Sequence, residues 1–357
     1  MKDLADTGTA AQLGLIDADI HPRNPLRRDL APHASAYWAE MFEYRSIDRL
    51  ELMSQPESIG LHRHASGAEA NATPDAIARL HLDPEAVSIG VLNVLSGAHA
   101  AYDPYLAAAL CEATNRWIAA SWLDADPRLR ASAVVPFIHP EAAALELNRL
   151  AQDRRFVSVL TPLMGEKPLG RREYWPIYRA MSEHGFALAI HPGSTYRHAP
   201  TQSGFLSYRV EEAALAPQAF ASQVASLVAE GVFIEFPDLR VVLLDCGISW
   251  LPSLMWRMTK DWKGVRLEVP WIKDAPGDII ARHVRMTTQA ADLPDDEDMI
   301  RRILDQFDAE NMLIHGSDFP RPHAGGVGLP GWLPAPLRSA VARDTARSTF
   351  ARLEEIA

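Results

Sequence analysis

At 357 residues, 48% hydrophobic and 23% charged, the chain can build one large core or two average domains. Its formal net charge of -11 argues against nucleic acid, which rewards clustered Lys and Arg, and no apolar run reaches the ~18 residues of a membrane span. With only Cys111 and Cys246, a disulfide framework is excluded; an N-terminus without a basic-then-apolar leader makes the cytoplasm the expected location.

In chain order, residues 1–12 read as a tail. The stretch "LIDADIHPR" then carries three acid or imidazole side chains, Asp17, Asp19 and His21, at the end of an apolar strand. A desolvated carboxylate there needs a cation or several hydrogen bonds. Strands are expected over Leu13–Ile20, Ala86–Leu92, Ala131–Phe137, Phe156–Thr161, Phe186–His191, Arg240–Leu244, Val284–Thr287 and Met312–Gly316. They are Val-, Ile- and Leu-rich without polar alternation, as parallel strands covered by helices should be. Helical patterns lie between most of them: "PYLAAALCEATNRWIAASWL", "PEAAALELNRLAQD", "YWPIYRAMSEHG" and "PQAFASQVASLVAEG", the last two ending in a glycine stop. Eight strands alternating with helices imply a single α/β domain over residues 13–357, a distorted (β/α)8 TIM barrel. A doubly wound open sheet is disfavoured, because no Gly-rich turn follows the first strand. The long first connection, residues 31–83, is expected to form a lid or oligomer arm over the barrel mouth.

In such a barrel the chemistry sits at the C-terminal ends of the strands. Asp19 and His21 end the first strand on one face, His191 ends the fifth, Asp245 the sixth and Asp318 the eighth. Taken singly, each has a structural alternative. Asp19 could cap a loop, His21 and His191 could belong to turns, Asp245 could pair with an arginine such as Arg257, and Asp318 could cap a turn. Together, polar residues ending four separate apolar strands point to one divalent metal site.

The segments "DADIHP", "AIHPG", "FPDLRVVLLDCGISWLPSLMWRM" and "LIHGSDFP" resemble the amidohydrolase-related family, in the branch that includes aminocarboxymuconate-semialdehyde decarboxylase. The resemblance runs from about Leu15 to the C-terminus. It implies a distorted (β/α)8 barrel with Asp19, His21, His191 and Asp318 as ligands of one divalent ion, zinc first and manganese or iron as alternatives. Leu160 and Thr161 end the fourth strand where a lysine would serve a two-metal centre. Two departures stand out. Asp245 occupies a position where the decarboxylase branch carries histidine, and "SDFPRPH" puts Arg321 in place of a histidine, with His323 two residues later.

The expected activity is that of a metal-dependent hydrolase, with metal-activated water attacking a C–N, C–O or activated C–C bond. Asp318 is then the general base and Asp245 a further ligand or a second catalytic acid. The alternative is a non-oxidative decarboxylase using the same metal, with His315, His323, His62 or His64 conceivable as its acid. A non-catalytic binding barrel is a third class. Arg321, able to clamp a carboxylate, and His323, Arg285 and Gln289 are expected to line the substrate pocket, Arg285 alternatively bracing Asp245 or Asp318. The substrate is expected to be a small carboxylated aromatic or cyclic compound, with neither nucleic acid nor membrane as partner, and the protein a homodimer.

Overall fold

The computed structural model describes residues 14–48, 70–194, 198–199, 201, 203–289, 291–321 and 326–356. Eight strands lie in one sheet in chain order: β1 (Leu15–Ile20), β2 (Val87–Leu92), β3 (Leu129–Val134), β4 (Phe156–Met164), β5 (Ala187–Ser194), β6 (Val241–Leu243), β7 (Val284–Thr287) and β8 (Leu313–Ile314). Every neighbouring pair is parallel. The sheet closes on itself where Ala18 N–H donates to His315 C=O (3.0 Å), His21 N–H donates to Phe319 C=O (2.7 Å), and Ile20 bridges Phe319 in parallel. This is the (β/α)8 barrel expected from the alternation of apolar runs.

Around it lie helices α1 (Ala36–Tyr44), α2 (Pro104–Ile118), α3 (Pro140–Leu150), α4 (Trp175–His184), α5 (Arg209–Ala229), α6 (Leu251–Val265), α7 (Pro276–His283), α8 (Glu297–Leu304) and α9 (Thr345–Thr349). Their ends follow local chemistry. Asp103 caps α2 by accepting from Tyr105 and Leu106 N–H, and Pro104 fills the first helical position, where no N–H is needed. Gly185 ends α4 at φ 73°, a left-handed conformation that glycine adopts without a side-chain penalty. One boundary differs from expectation: α5 begins two turns before Pro217 rather than at it, so the proline sits inside the helix.

Two apolar clusters hold the barrel together. The larger packs the helices on its outside. The smaller contains Ile16, Ala18, Val91, Leu160, Ala187, Ala189, Val242, Leu244 and Ile314, joined by Ala346, Phe350 and Leu353 of the C-terminal segment. Buried Arg352 marks where that segment docks. It donates to the carbonyls of Phe156, Ala151, Asp153 and His184, at the start of β4 and the segments leading into β4 and β5. The C-terminal segment therefore closes the end of the barrel opposite the strands' C-termini. In the first connection, α1 and the helical segment 74–82 are described, while residues 49–69, including His62 and His64, lie outside the described residues, as does the tail. Among the described residues no helix is long and apolar enough to cross a membrane.

Candidate metal centre

Strand β1 does not alternate regularly. Asp17 pairs with Gly90 and Ile20 with Leu92, so β1 spends three residues where β2 spends two, a bulge. Uninterrupted alternation would put Asp17, Asp19 and His21 on one face. Instead Asp17 turns to His81, whose Nε2 lies 2.6 Å from Asp17 Oδ2, and both side chains are fully buried. Asp17 Oδ1 accepts from Asp19 N–H (3.0 Å) and Ser317 N–H (2.9 Å). One carboxylate thus tethers the backbone of two segments, each of which carries a group of the site.

Past the bulge, Asp19 and His21 turn into the barrel mouth, where His191 from β5 and Asp318 after β8 meet them. Each offers one donor atom, all within 4.8 Å of one another, and all four residues are buried. His21 Nε2 lies 3.1 Å from Asp19 Oδ1 and 3.0 Å from Asp318 Oδ1. The tautomers follow from the backbone. His21 Nδ1 must carry a proton to donate to Asn93 C=O (2.9 Å), and His191 Nδ1 one to donate to Pro192 C=O (2.8 Å). Both Nε2 atoms are thereby turned to the cluster. Among the described residues His191 Nε2 and Asp19 Oδ2 are buried without a hydrogen bond. Polar atoms left so in a protein interior call for a bound group. Two imidazole nitrogens and two carboxylate oxygens fit a single divalent ion of the zinc, manganese or iron type.

The charges agree with that fit. Burial works against a charged His21, but Asp19 and Asp318 outweigh it and raise its pKa to about 10. Burial, reinforced by His21, pushes His191 down to about 4, so it stays neutral. Without a cation a proton on His21 offsets one of the two negative charges, and a metal ion would take its place.

Sequence reasoning missed Asn93. Its Nδ2 donates to Asp19 Oδ1 (2.9 Å) and Ala18 C=O (3.0 Å), its carbonyl orients His21, and its Oδ1 accepts from Ser132 Oγ (2.6 Å). The signal was present, a polar residue ending the apolar run "VSIGVLN" just as Asp19 ends β1. Such outer partners fix ligand orientation.

The remaining expected residues separate. Asp245 lies outside the four-residue group and pairs with Arg321, Nη1 to Oδ2 3.5 Å; Arg257 instead faces Asp261 on the surface. Arg321 also reaches Asp318 Oδ2 at 3.4 Å. Arg285 is not brought to the mouth. As the second residue of β7 it sits near that strand's N-terminal end, where Nη1 donates to the carbonyls of Ala281 and Val284. It therefore braces neither Asp245 nor Asp318. Gln289, just beyond β7, donates to Gly326 C=O (3.0 Å), linking the loops after β7 and β8. His315 is fully buried, with Asp17 and His81 among its electrostatic neighbours, and burial lowers its pKa. His323 lies outside the described residues.

A model of the family described as amidohydrolase matches residues 16–351. A gamma-resorcylate decarboxylase of Rhodococcus jostii is 29% identical over 162 residues, covering 40% of this chain and 46% of the relative; another from a Polaromonas species is 29% identical over 161 residues, covering 42% and 45%. The chain thus spans about half the length of the curated relatives it matches. Among solved structures, 5-carboxyvanillate decarboxylase of Sphingomonas paucimobilis superposes with a TM-score of 0.67 at 17% identity, covering 95% of this chain and 99% of that one. The enzyme of the same description from Novosphingobium aromaticivorans, complexed with manganese and 4-hydroxy-3-methoxy-5-nitrobenzoic acid, superposes at 0.68 and 16% identity, covering 98% and 100%. At these identities the structures establish a common fold.

Proposed function

Because the chain belongs to the amidohydrolase family, we propose that it is a metal-dependent, non-oxidative decarboxylase of a small aromatic carboxylic acid. The observation that carries the reading is the inward cluster of Asp19, His21, His191 and Asp318, in a chain whose curated relatives are named as decarboxylases of a resorcylate. Hydrolysis, the first expectation from the sequence, calls on the same residues, and the relatives' names favour the alternative.

Asp19, His21, His191 and Asp318 would hold a divalent ion, which would supply positive charge to attract a substrate carboxylate. The rest falls to the protein. Asn93 holds Asp19 and His21 in place, and burial keeps His191 neutral and open to a cation. Asp318 is the proton carrier. Its carboxylate takes the substrate's hydroxyl proton on binding and passes it to the ring carbon that bears the carboxylate. The bond from that carbon to the carboxylate then breaks, its electron pair returns to the ring, and carbon dioxide leaves. Water restores the hydroxyl proton, so the net change exchanges carbon dioxide for a proton.

The proposal extends to a homodimer and a cytoplasmic location, and to zinc or manganese as the ion. Two structural neighbours hold manganese, which makes it the first ion to load. The test is carbon dioxide release from 2,6-dihydroxybenzoate and related hydroxybenzoates by protein loaded with Mn2+ or Zn2+. Asp318→Asn should abolish release while the protein still binds metal. Turnover of amides or esters, with no carbon dioxide from any hydroxybenzoate, would return the reading to hydrolysis.

A further inference from the structure

Asn93, just past β2, clamps the end of β1, and the orientation of its amide is set from inside the barrel. Its N–H donates to Ile20 C=O (2.7 Å), and its Nδ2 to Ala18 C=O (3.0 Å) and Asp19 Oδ1 (2.9 Å). Its C=O accepts from His21 Nδ1 (2.9 Å), so all of these bonds run to residues 18–21. A backbone carbonyl only accepts, so the amide atom facing Ala18 must be the nitrogen. The amide oxygen is thereby turned away from β1 to Ser132 on β3, whose Oγ lies 2.6 Å away.

Proton counting gives this contact and the next one a direction. An amide oxygen cannot donate, so Ser132 spends its single hydroxyl proton on Asn93. Ser132 Oγ also lies 2.7 Å from Ser158 Oγ on β4, its partner in strand register, and there it can only accept. Ser158 therefore donates to Ser132, Ser132 to Asn93, and Asn93 to Asp19. Asn93, Ser132 and Ser158 are all buried, in an interior otherwise built from apolar side chains such as Val91, Val157, Leu160 and Val242. A buried hydroxyl costs free energy unless it is hydrogen-bonded, and alanine would fill nearly the same space without one. The two serines contribute bonds and not bulk.

From this chain of donors we propose that Ser132 and Ser158 are positioning residues for Asp19 as a metal ligand, acting through Asn93. The chain keeps Asp19 Oδ1 on the amide and leaves Oδ2, buried without a hydrogen bond, as the oxygen that Asp19 presents to a cation. Donations in one sense polarise one another, so each upstream bond strengthens the one that ends on Asp19. The inference rests on the metal reading of the site and not on the reaction that the metal serves.

The test is calorimetric Mn2+ binding to the full chain, with urea denaturation and the electron paramagnetic resonance spectrum of bound Mn2+ recorded for each variant. Asn93→Ala should weaken binding about 10–100-fold, as loss of a partner that orients a ligand does. Ser132→Ala should weaken it about threefold to tenfold, and Ser158→Ala by less, because the effect fades with each link. Ser132→Ala should also shift the spectrum in the same sense as Asn93→Ala. The sharpest readout is the double variant, Asn93→Ala with Ser132→Ala. It should bind within about twofold of Asn93→Ala alone, since the serine has no route to Asp19 once the amide is gone. Val242→Ala opens a cavity in the same interior on β6; it should lower the urea midpoint yet change Mn2+ affinity less than about twofold, with an unaltered spectrum. Serines that merely pack would give that result too, so a Ser132→Ala protein that matches wild type in Mn2+ affinity and spectrum overturns the proposal. So does a double variant in which the two losses multiply, or a Val242→Ala protein that loses as much affinity as Ser132→Ala. A wild type that binds no Mn2+ overturns the proposal together with the metal reading beneath it, whereas tight Mn2+ binding with unresponsive serines overturns the proposal alone.

Discussion

Replacing Asp17 by alanine tests whether the site is built from behind as well as from its ligands. The carboxylate accepts two buried backbone N–H groups, from Asp19 and Ser317, and faces His81 at 2.6 Å with no exposure on either side. Alanine leaves both N–H donors without an acceptor and His81 Nε2 with only the Ser317 hydroxyl, 3.3 Å away. Breaking such a buried pair costs about 3–5 kcal/mol, a large share of a typical folding free energy. Asparagine keeps an oxygen for the two N–H groups, and His81 can present an unprotonated Nε2 to the new amide, so about 1–2 kcal/mol is expected. Because the tethered backbones carry Asp19 and adjoin Asp318, Mn2+ affinity should fall about 10–100-fold in Asp17→Ala. Urea denaturation and Mn2+ calorimetry on both variants measure the two effects. The pH dependence has a fixed sign. Burial opposes ionisation of Asp17, but His81 and Ser317 more than offset it and hold its pKa below the usual 3.8. Its stabilisation is therefore complete above that value and lost as pH falls through the lower, folded-state pKa. Asp17→Asn should lack this acid-dependent loss. An Asp17→Ala protein that unfolds within about 1 kcal/mol of wild type and binds Mn2+ equally well would refute the reasoning.

Three further outcomes are expected. His191→Ala removes one of four donors without touching the others, so bound metal after dialysis should drop well below one equivalent by elemental analysis, while the circular dichroism spectrum is unchanged. Gly316→Ala places a methyl carbon 2.7 Å from Thr287 Cγ2 and 3.1 Å from Asp19 Cβ, so it should cost about 1–3 kcal/mol in urea and weaken Mn2+ binding together. Arg352→Met, at the opposite end, strips donors from four carbonyls, that of Phe156 buried and the others partly so, and should destabilise by about 2–3 kcal/mol, with Mn2+ affinity of the folded protein unaltered.

Much of this protein was legible in its sequence because parallel strands buried on both faces leave unmistakable apolar runs. All eight run from β1 to β8 within a few residues of their expected bounds. The four residues gathered at the mouth were legible for a related reason: in a barrel the ends of distant strands converge, so His21 and His191, 170 positions apart in "DIHP" and "AIHPG", come to lie 4.7 Å apart between ring centroids. Periodicity could not distinguish Asp17 from Asp19. Their separation depends on a one-residue bulge against β2, which is a property of the pairing and not of either strand. Asn93 went unseen because its role consists of hydrogen bonds to a neighbouring strand. Arg285 was misplaced because a short strand carries polar residues at both ends, and only the three-dimensional register says which end an arginine occupies. Asp245 and Arg321, read singly, were an acid and a clamp; whether they face each other or a substrate is set by loop backbone at positive φ, which local propensity does not encode. The amino-acid sequence determined the barrel and which four side chains end its strands at the mouth, since burial and strand order act through local pattern. Tertiary structure alone decided which charges meet, because Coulomb interactions and hydrogen bonds depend on distance across the fold and not along the chain.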